Sequence, residues 1–390
     1  MRGRRKMDSR LIPFLVISMV TVAVPALVMK IYADRILKSD LLKEEKMYRG
    51  VRMLILCMFM AVVIYFPPVI ALGLLGKMMK LVDSHVSSIS LGALLFAGIL
   101  IGPVIISILV ITLVASRVEV EVKGLGVKTS EIAKDILKVI VLLIAPGLIW
   151  FTIYIHLPGN IRNNSLADLG VFAVYILAFF ALAPYWTRLF SKPRPLEEPL
   201  RSELLKFCES LGFKVRDIRV TGKKKYKIAN AGITGIIPGY RYIFITEYML
   251  ETFDPEEIKA VIAHEIGHIK GRHLWINAMI AIGWFVFWMG VVFLLAKLNV
   301  DILSPAVFFG VFFSAYILYF VVIQGKISMR NEFKADEFAA KVVGKETVIK
   351  TLEKLAEVNL TPKKTGKWFS FLSLHPSIEE RVKHLEEVEE

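Results

Sequence analysis

Residues 254–273 read DPEEIKAVIAHEIGHIKGRH, and residues 274–295 continue as the apolar run LWINAMIAIGWFVFWMGVVFLL. Asp254, Pro255 and Glu257 supply an N-cap, a proline at the first helical position and a capping-box carboxylate, so a helix should begin here. The apolar run that follows is long enough to cross a bilayer. This stretch therefore predicts a polar helix that leads almost directly into a membrane span.

Apolar runs of similar length recur along the chain, mostly before this helix. Hydrophobic residues make up 55% of the 390 residues, above the roughly 45–50% that is usual in globular domains. The composition and the runs together predict an α-helical, polytopic membrane protein with about seven transmembrane helices. The predicted spans are residues 11–29, 53–75, 89–115, 136–155, 169–189, 274–295 and 303–323.

Lys and Arg residues collect between the apolar runs and give the chain a net charge of +14. They are abundant in two loops and in the large polar segments 190–273 and 324–390, so the positive-inside rule predicts that these segments are cytoplasmic. They also provide contacts for anionic membrane lipids. Residues 1–10 carry five basic residues on the opposite side, a conflict that a translation start at Met7 would reduce to Arg10 alone. No nucleic-acid-binding motif accompanies the charge, and we expect no nucleic-acid partner.

The first polar segment has the pattern of a small α/β domain. Residues 200–211 place apolar side chains at helical spacing, whereas 215–220 and 241–246 have the pattern of strands. The expected organisation is an N-terminal transmembrane region with five spans, a cytoplasmic segment, two further spans and a second cytoplasmic segment. These four parts cover residues 1–189, 190–273, 274–323 and 324–390.

Residues 264–268, HEIGH, form an H-E-x-x-H motif. On a helix, His264 and His268 share one face and can bind one Zn²⁺ together. Glu265 then lies where it can take a proton from the water that such a zinc activates. The sequence therefore predicts one zinc ion and a catalytic carboxylate near the cytoplasmic boundary of the membrane.

A catalytic zinc usually has three protein ligands, and the third must return to the same side of the membrane. The chain returns after the seventh span, where residues 330–337 read RNEFKADE. Glu332 is the candidate third ligand, and Asp336 could accept a hydrogen bond from a ligating imidazole and define its tautomer. An exposed acidic helix face is the alternative interpretation, and it suits Glu337.

At this point the sequence resembles the integral-membrane gluzincin zinc proteases, a family that includes the type I CAAX prenyl protease and the heat-shock protease HtpX. The predicted spans and His273, five residues beyond the motif, favour the type I CAAX prenyl protease branch. The resemblance implies that the spans enclose a water-filled chamber capped by the metalloprotease domain. Four blocks carry it, in order: NAGITG at 230–235, HEIGH at 264–268, RNEFKAD at 330–336, and HP at 375–376 followed by Arg381.

The resemblance also implies roles for individual residues. Asn230 and Ala231 would lie on an edge strand that pairs with an extended substrate. His375 and Arg381 would face the scissile carbonyl and the zinc helix, with His375 as an oxyanion donor. The alternative interpretation makes His375 a turn residue and Arg381 a solvated helix residue. His273 either lines the chamber or is a histidine at the membrane boundary.

The predicted function is that of a membrane zinc metalloendopeptidase acting on peptide or protein substrates. Two versions share the same zinc chemistry and stay open: CAAX-type C-terminal processing of prenylated peptides, and HtpX-like quality control of membrane proteins. A transporter or non-catalytic binding protein is less favoured. The spans contain almost no ionisable residues and show no repeated halves, whereas the expected base and ligands are all present.

Overall fold

The chain folds into long helices and one small sheet, which form two compact units. Unit 1 consists of Met1–Leu42 and Lys46–Phe179, and unit 2 of Lys43–Glu45 and Phe180–Glu390. The division into four segments remains a prediction. The computed structural model describes residues 11–85, 89–162, 192–235, 237–298, 323–364 and 376–388, with scattered positions within 163–191 and 299–322.

Unit 1 is helical throughout its described part. Two interhelical hydrogen bonds cross its apolar packing: Ser107 Oγ donates to the carbonyl of Thr21 at 2.7 Å, and Tyr65 Oη donates to the carbonyl of Ile99 at 2.7 Å. These bonds satisfy hydroxyl groups that would otherwise be costly in an apolar environment. The helices are α1 (Leu11–Leu37), α2 (Lys43–Ala71, whose first turn belongs to unit 2), α3 (Leu74–His85), α4 (Ile89–Lys123), α5 (Thr129–Ile155) and the short α6 (Gly159–Arg162).

Five helices in the described part of the chain are long and apolar enough to cross a membrane. They coincide with five of the seven predicted spans and confirm a polytopic helical membrane protein. The other two predicted spans, residues 169–189 and 303–323, lie outside the described residues except for scattered positions. The five candidate spans are Ile12–Leu37, Lys43–Ala71, Gly98–Lys123, Thr129–Ile155 and Trp275–Leu295.

Unit 2 contains a four-stranded mixed sheet in the order β1-β2-β4-β3. β2 and β4 run parallel, and the outer strands pair antiparallel to them, so β3 forms one edge. The predicted helix and both predicted strands are present, with small shifts of their ends. The elements are β1 (Arg194–Pro195), α7 (Leu200–Ser210), β2 (Asp217–Thr221), β3 (Ala231–Thr234), β4 (Tyr242–Thr246) and α8 (Glu247–Thr252).

The helix that carries the HEIGH motif begins where the sequence predicts. Asp254 accepts a hydrogen bond from the backbone N–H of Glu257 at 3.0 Å, and Glu257 accepts one from the backbone N–H of Asp254 at 3.0 Å. This reciprocal pair is the predicted capping box, and Pro255 occupies the first turn. In the part of the chain that the structure describes, the helices from here on are α9 (Pro255–Lys270), α10 (His273–Lys297), α11 (Gly325–Val343), α12 (Lys345–Asn359) and α13 (Ile378–Glu387).

α9 and α11 are in direct backbone contact at one position. A Cβ atom on Gly267 would lie 3.0 Å from the Cα of Ala335 and 3.2 Å from its carbonyl oxygen. Only glycine allows the helices to approach this closely without a shift. Because Gly267 lies inside the HEIGH motif and Ala335 inside RNEFKAD, this contact brings the two blocks together.

Candidate metal centre

Three potential ligand atoms from α9 and α11 converge within 4.8 Å of one another. His264 and His268 lie one turn apart on α9, and their Nε2 atoms are 3.1 Å apart. Glu332, on α11, has one carboxylate oxygen 3.6 Å from His264 Nε2 and the other 3.3 Å from His268 Nε2. The three sequence-predicted ligands therefore lie side by side.

These spacings suit a bound divalent cation. Zinc bonds of about 2.0–2.1 Å in tetrahedral geometry place neighbouring ligand atoms about 3.3 Å apart, and the three measured spacings of 3.1, 3.3 and 3.6 Å surround that value. In the tautomers in which both Nε2 atoms present lone pairs, a cation between them would remove the repulsion expected at 3.1 Å. Two histidines and one carboxylate also match catalytic zinc sites that keep a fourth position open.

Asp336 and Arg381 contact the Nδ1 side of His264, away from His268 and Glu332. Nδ1 of His264 lies 2.8 Å from Asp336 Oδ1. In the tautomer that leaves Nε2 free to bind a metal, Nδ1 carries the proton and donates a hydrogen bond to this carboxylate. The Arg381 guanidinium donates two hydrogen bonds to the same carboxylate, from Nε to Oδ2 at 2.7 Å and from Nη2 to Oδ1 at 2.6 Å. Burial would raise the pKa of Asp336, but the hydrogen bonds from Arg381 and His264 outweigh it and hold that pKa below its usual range.

The acidic residues of α11 differ in how deeply their side chains are buried. Glu332 is 4% exposed and Asp336 is fully buried, so these two do not form an exposed acidic face. Glu337 instead pairs with His384, at 2.8 Å between a carboxylate oxygen and Nε2. The alternative interpretation thus fails for Glu332 and Asp336, and Glu337 is half-buried in its pair with His384.

Glu265 borders the same cavity as the ligands. The cavity has a volume of about 500 Å³, and its lining includes Glu265, Asn230 and Arg381. Burial raises the pKa of Glu265, and the neighbouring His264 and His268 only partly oppose this shift. A carboxylate in this environment is suited to accepting and returning a proton.

His273 has a role in the structure that the sequence did not reveal. Its Nδ1 lies 2.7 Å from Nδ1 of His268, and the side chain is only 5% exposed. Burial, followed by the nearby His268, lowers the pKa of His273 to about 4. A neutral imidazole can accept a hydrogen bond from Nδ1 of His268, as the Asp336 carboxylate can from Nδ1 of His264. Its position five residues beyond the motif was the only signal.

Gly271 provides the space for this contact. A Cβ atom there would overlap with Nε2 of His273, well inside van der Waals distance. Any larger residue at this position would displace the His273 imidazole.

Asn230 and Ala231 lie at the edge of the sheet nearest the cavity. Ala231 begins the edge strand β3, and Asn230 borders the cavity just before it. Asn230 exchanges two hydrogen bonds with Thr246 at the end of β4, at 2.9 and 3.0 Å. Asn359 on α12 clamps the preceding residue, Ala229, through its backbone N–H at 2.9 Å and its carbonyl at 2.8 Å. No pattern in the sequence pointed to Asn359, which lies 130 positions away from Ala229.

The predictions for Arg381 and His375, the two C-terminal site residues, have different outcomes. Arg381 lies on α13, contacts Asp336 and approaches Nδ1 of His264 at 3.3 Å, so it faces α9 and is not a solvated residue. His375 lies outside the described residues. Its role as an oxyanion donor stays a prediction.

Comparisons with known proteins identify the family. The profile of Peptidase family M48 matches residues 196–389, which include every predicted site residue. A protease HtpX homolog from Methanocaldococcus jannaschii is 30% identical over 208 residues, covering 44% of this chain and 72% of that relative. This chain belongs to Peptidase family M48. It is therefore a metalloprotease, a hydrolase with a metal cofactor.

Both branches of the predicted resemblance are represented among the similar M48 proteins. A CAAX prenyl protease 1 homolog from Oryza sativa subsp. japonica is 27% identical over 252 residues, covering 60% of this chain and 56% of that relative. The crystal structure of S. mikatae Ste24p matches with a TM-score of 0.67 over 98% of this chain and 100% of that chain, at 18% identity. That likeness shows the fold. The predicted membrane metalloprotease is confirmed, and the choice between the two branches stays open.

Proposed function

We propose that this chain is a zinc-dependent endopeptidase in which His264, His268 and Glu332 hold the metal. The observation that carries the proposal is the convergence of the three ligand atoms within 4.8 Å. Both outer imidazole nitrogens already have hydrogen-bond partners, so each Nε2 lone pair is directed at the space between the ligands. Zinc is favoured over other metals because two imidazoles and one carboxylate form a typical catalytic zinc donor set.

In the proposed mechanism, Glu265 is the general base and then the general acid. Bound zinc would supply Lewis acidity, which polarises the scissile carbonyl and lowers the pKa of the attacking water. Glu265 takes the proton of that water and later delivers it to the leaving amine. Asp336 and Arg381 keep His264 in its ligating tautomer, and His273 does the same for His268.

Substrate would bind as an added strand along β3. An edge strand can pair with an extended peptide through backbone hydrogen bonds, which gives affinity with little demand on sequence. Asn230 and Ala231 begin this edge beside the cavity, and the Asn359 clamp on Ala229 holds the approach to it rigid. The proposal therefore gives these residues a substrate-binding role.

We favour CAAX-type C-terminal processing of prenylated peptides as the substrate class. The fold likeness to Ste24p extends over 98% of the chain, including the membrane-spanning part. HtpX-like quality control of membrane proteins is the second candidate, supported by the 30% identity to an HtpX homolog. The distribution of Lys and Arg favours a catalytic site on the cytoplasmic side and contacts with anionic lipids.

One experiment separates these candidates. The detergent-purified, zinc-loaded chain is incubated with two C-terminal peptides, one farnesylated at a Cys-a-a-X end and one bare, and the products are mapped by mass spectrometry. Release of the a-a-X tripeptide, faster from the farnesylated peptide and absent with Glu265→Gln, is the expected result. Internal cuts that ignore the lipid would favour quality control. Peptides left intact under every condition would contradict the proposed endopeptidase.

A further inference from the structure

Four exposed residues lie at one end of the sheet in unit 2, two of them within the β3–β4 connection and two just before β2. Ile237 is 49% exposed and Tyr240 is 50% exposed. Lys214 and Arg216 are also exposed, and the Arg216 guanidinium lies 5.4 Å from the centre of the Tyr240 ring. We call Lys214, Arg216, Ile237 and Tyr240 the turn patch. Single exposed apolar residues are common on proteins, so the location of the patch decides its meaning.

A first chain of contacts links this end of the sheet to a membrane boundary. Tyr242, the first residue of β4, accepts a hydrogen bond from Nη1 of Arg188 at 3.2 Å. The Arg188 guanidinium also lies 5.4 Å from the centre of the Tyr242 ring. Arg188 belongs to the last turn of the predicted span 169–189, and Tyr240 precedes Tyr242 by two residues. The turn patch therefore lies next to the end of that predicted span.

A second chain of contacts leads to another span. Arg241 lies over the ring of Phe213, 4.7 Å from its centre. Two residues before Phe213, the carbonyl of Leu211 accepts a hydrogen bond from Nζ of Lys270 at 2.9 Å. Lys270 ends α9, five residues before the candidate span Trp275–Leu295 begins. Two independent paths thus connect the same end of the sheet to the start or end of a membrane span.

The composition of the patch suits a membrane interface. Tyrosine and tryptophan are enriched at the level of the lipid headgroups, where the ring is apolar on one side and polar on the other. Basic side chains next to them can reach lipid phosphates while their methylene stems remain in apolar surroundings. Trp275, which is 48% exposed where its span begins, has the same amphipathic character.

We propose that the turn patch is a membrane-interface anchor of the peptidase domain. Ile237 and Tyr240 enter the headgroup region of the membrane that the chain spans, and Lys214 and Arg216 contact the phosphates of anionic lipids. The anchor supplements the covalent connection through α10 and restricts how the sheet edge with Asn230 and Ala231 is oriented over the bilayer. It does not depend on the proposed substrate or on catalysis.

The experiment measures depth in a bilayer by spin labelling. Single cysteines replace Ile237 or Tyr240 in a Cys57→Ala/Cys208→Ala background, and the full chain is placed in nanodiscs of phosphatidylcholine and phosphatidylglycerol. Collisions of the nitroxide with oxygen and with a water-soluble nickel chelate give its depth. Ile228→Cys is the matched control, since Ile228 is also an isoleucine, is 43% exposed and precedes β3 at the opposite end of that strand.

Labels at 237 and 240 should lie on the order of 5–10 Å into the headgroup and acyl boundary, the depth of interfacial apolar side chains. The label at 228 should remain in water. The proposal is overturned if position 237 collides with the nickel chelate as freely as position 228. It is equally overturned if both reagents are excluded from 237, because another protein surface then covers it. If the cysteine-free background is unstable, the labels can be introduced with Cys57 and Cys208 retained, since both are buried.

Discussion

The two ends of α9 are held in different ways. At the N-terminal end, Asp254 and Glu257 form a capping box within four consecutive residues. At the C-terminal end, His264 depends on Asp336, which lies 72 positions away, while His268 depends on the nearby His273. The capped end determines where the helix begins, and the ligand end determines what it can bind.

This difference separates stability from chemistry along one helix. Changes at the capped end should lower the free energy of unfolding and leave the ligand geometry intact. Changes to the ligand-end side chains that would bind or position the metal should alter metal binding or turnover and have smaller effects on folding. Gly267 should affect both, because it packs α9 against α11. The following predictions test that separation, beginning with the largest effect.

Glu265→Gln should reduce peptide cleavage most. The expected loss in kcat is about 10²- to 10⁴-fold, the usual contribution of a general acid–base group, and the bound metal should remain because glutamine at 265 removes no ligand. The measurements are the cleavage rate and the metal content by atomic emission. Glu332→Ala provides the contrast, since it should lose the metal itself. Undiminished turnover in Glu265→Gln would remove Glu265 from the mechanism.

Asp336→Asn and His273→Ala should each weaken metal binding by about 10- to 100-fold, as the loss of a residue that supports a metal ligand usually does. Competition with a chelator of known affinity gives the dissociation constant without reference to activity. His384→Ala is the control, because His384 pairs with Glu337 outside the ligand set.

A conservative change sharpens the test of His273. His273→Asn retains a hydrogen-bond acceptor and should recover part of the metal affinity that His273→Ala loses. Equal metal affinity in His273→Ala and the parent chain would show that the contact with His268 has no positioning role.

Gly267→Ala should destabilise the contact between α9 and α11. The added methyl group would lie 3.0 Å from the Cα of Ala335, so the helices must separate, at a cost of about 1–3 kcal/mol. Thermal unfolding in detergent measures the stability, and metal titration reports the displaced ligands. Gly283→Ala is the matched control, since a Cβ there meets nothing within 4 Å. An unchanged melting temperature for Gly267→Ala would contradict the close approach.

Glu257→Gln tests the capped end, where the expected cost is about 1–2 kcal/mol of stability with unchanged metal affinity. Burial would raise the pKa of Glu257, but hydrogen bonds from Lys354, the backbone of Asp254 and Lys350 outweigh it and lower that pKa. The stabilisation is therefore present above the unfolded-state pKa and disappears as the pH falls through the folded-state value. Thermal unfolding across this acidic range should show the parent and the variant converging. A constant difference would contradict the role of the charged carboxylate.

Much of the fold could be predicted because its signals are local. Membrane spans follow from uninterrupted apolar length, and five of the predicted spans coincide with described candidate spans. The capping box and the HEIGH spacing predicted both the start of α9 and the shared face of its histidines. The sheet order was beyond such reasoning, because the parallel pairing of β2 with β4 and the edge position of β3 depend on contacts between distant segments.

The sequence by itself determined which residue types the candidate site contains: two histidines at helical spacing, a carboxylate between them and a later acidic block. Only the tertiary structure decided how these groups are supported. The Arg381 grip on Asp336, the Asn359 clamp on Ala229 and the His273 contact with His268 each require a side chain to reach another element. The physical reason is that ligand spacing is a property of one helix, whereas hydrogen-bond partners and burial depend on which helices pack together.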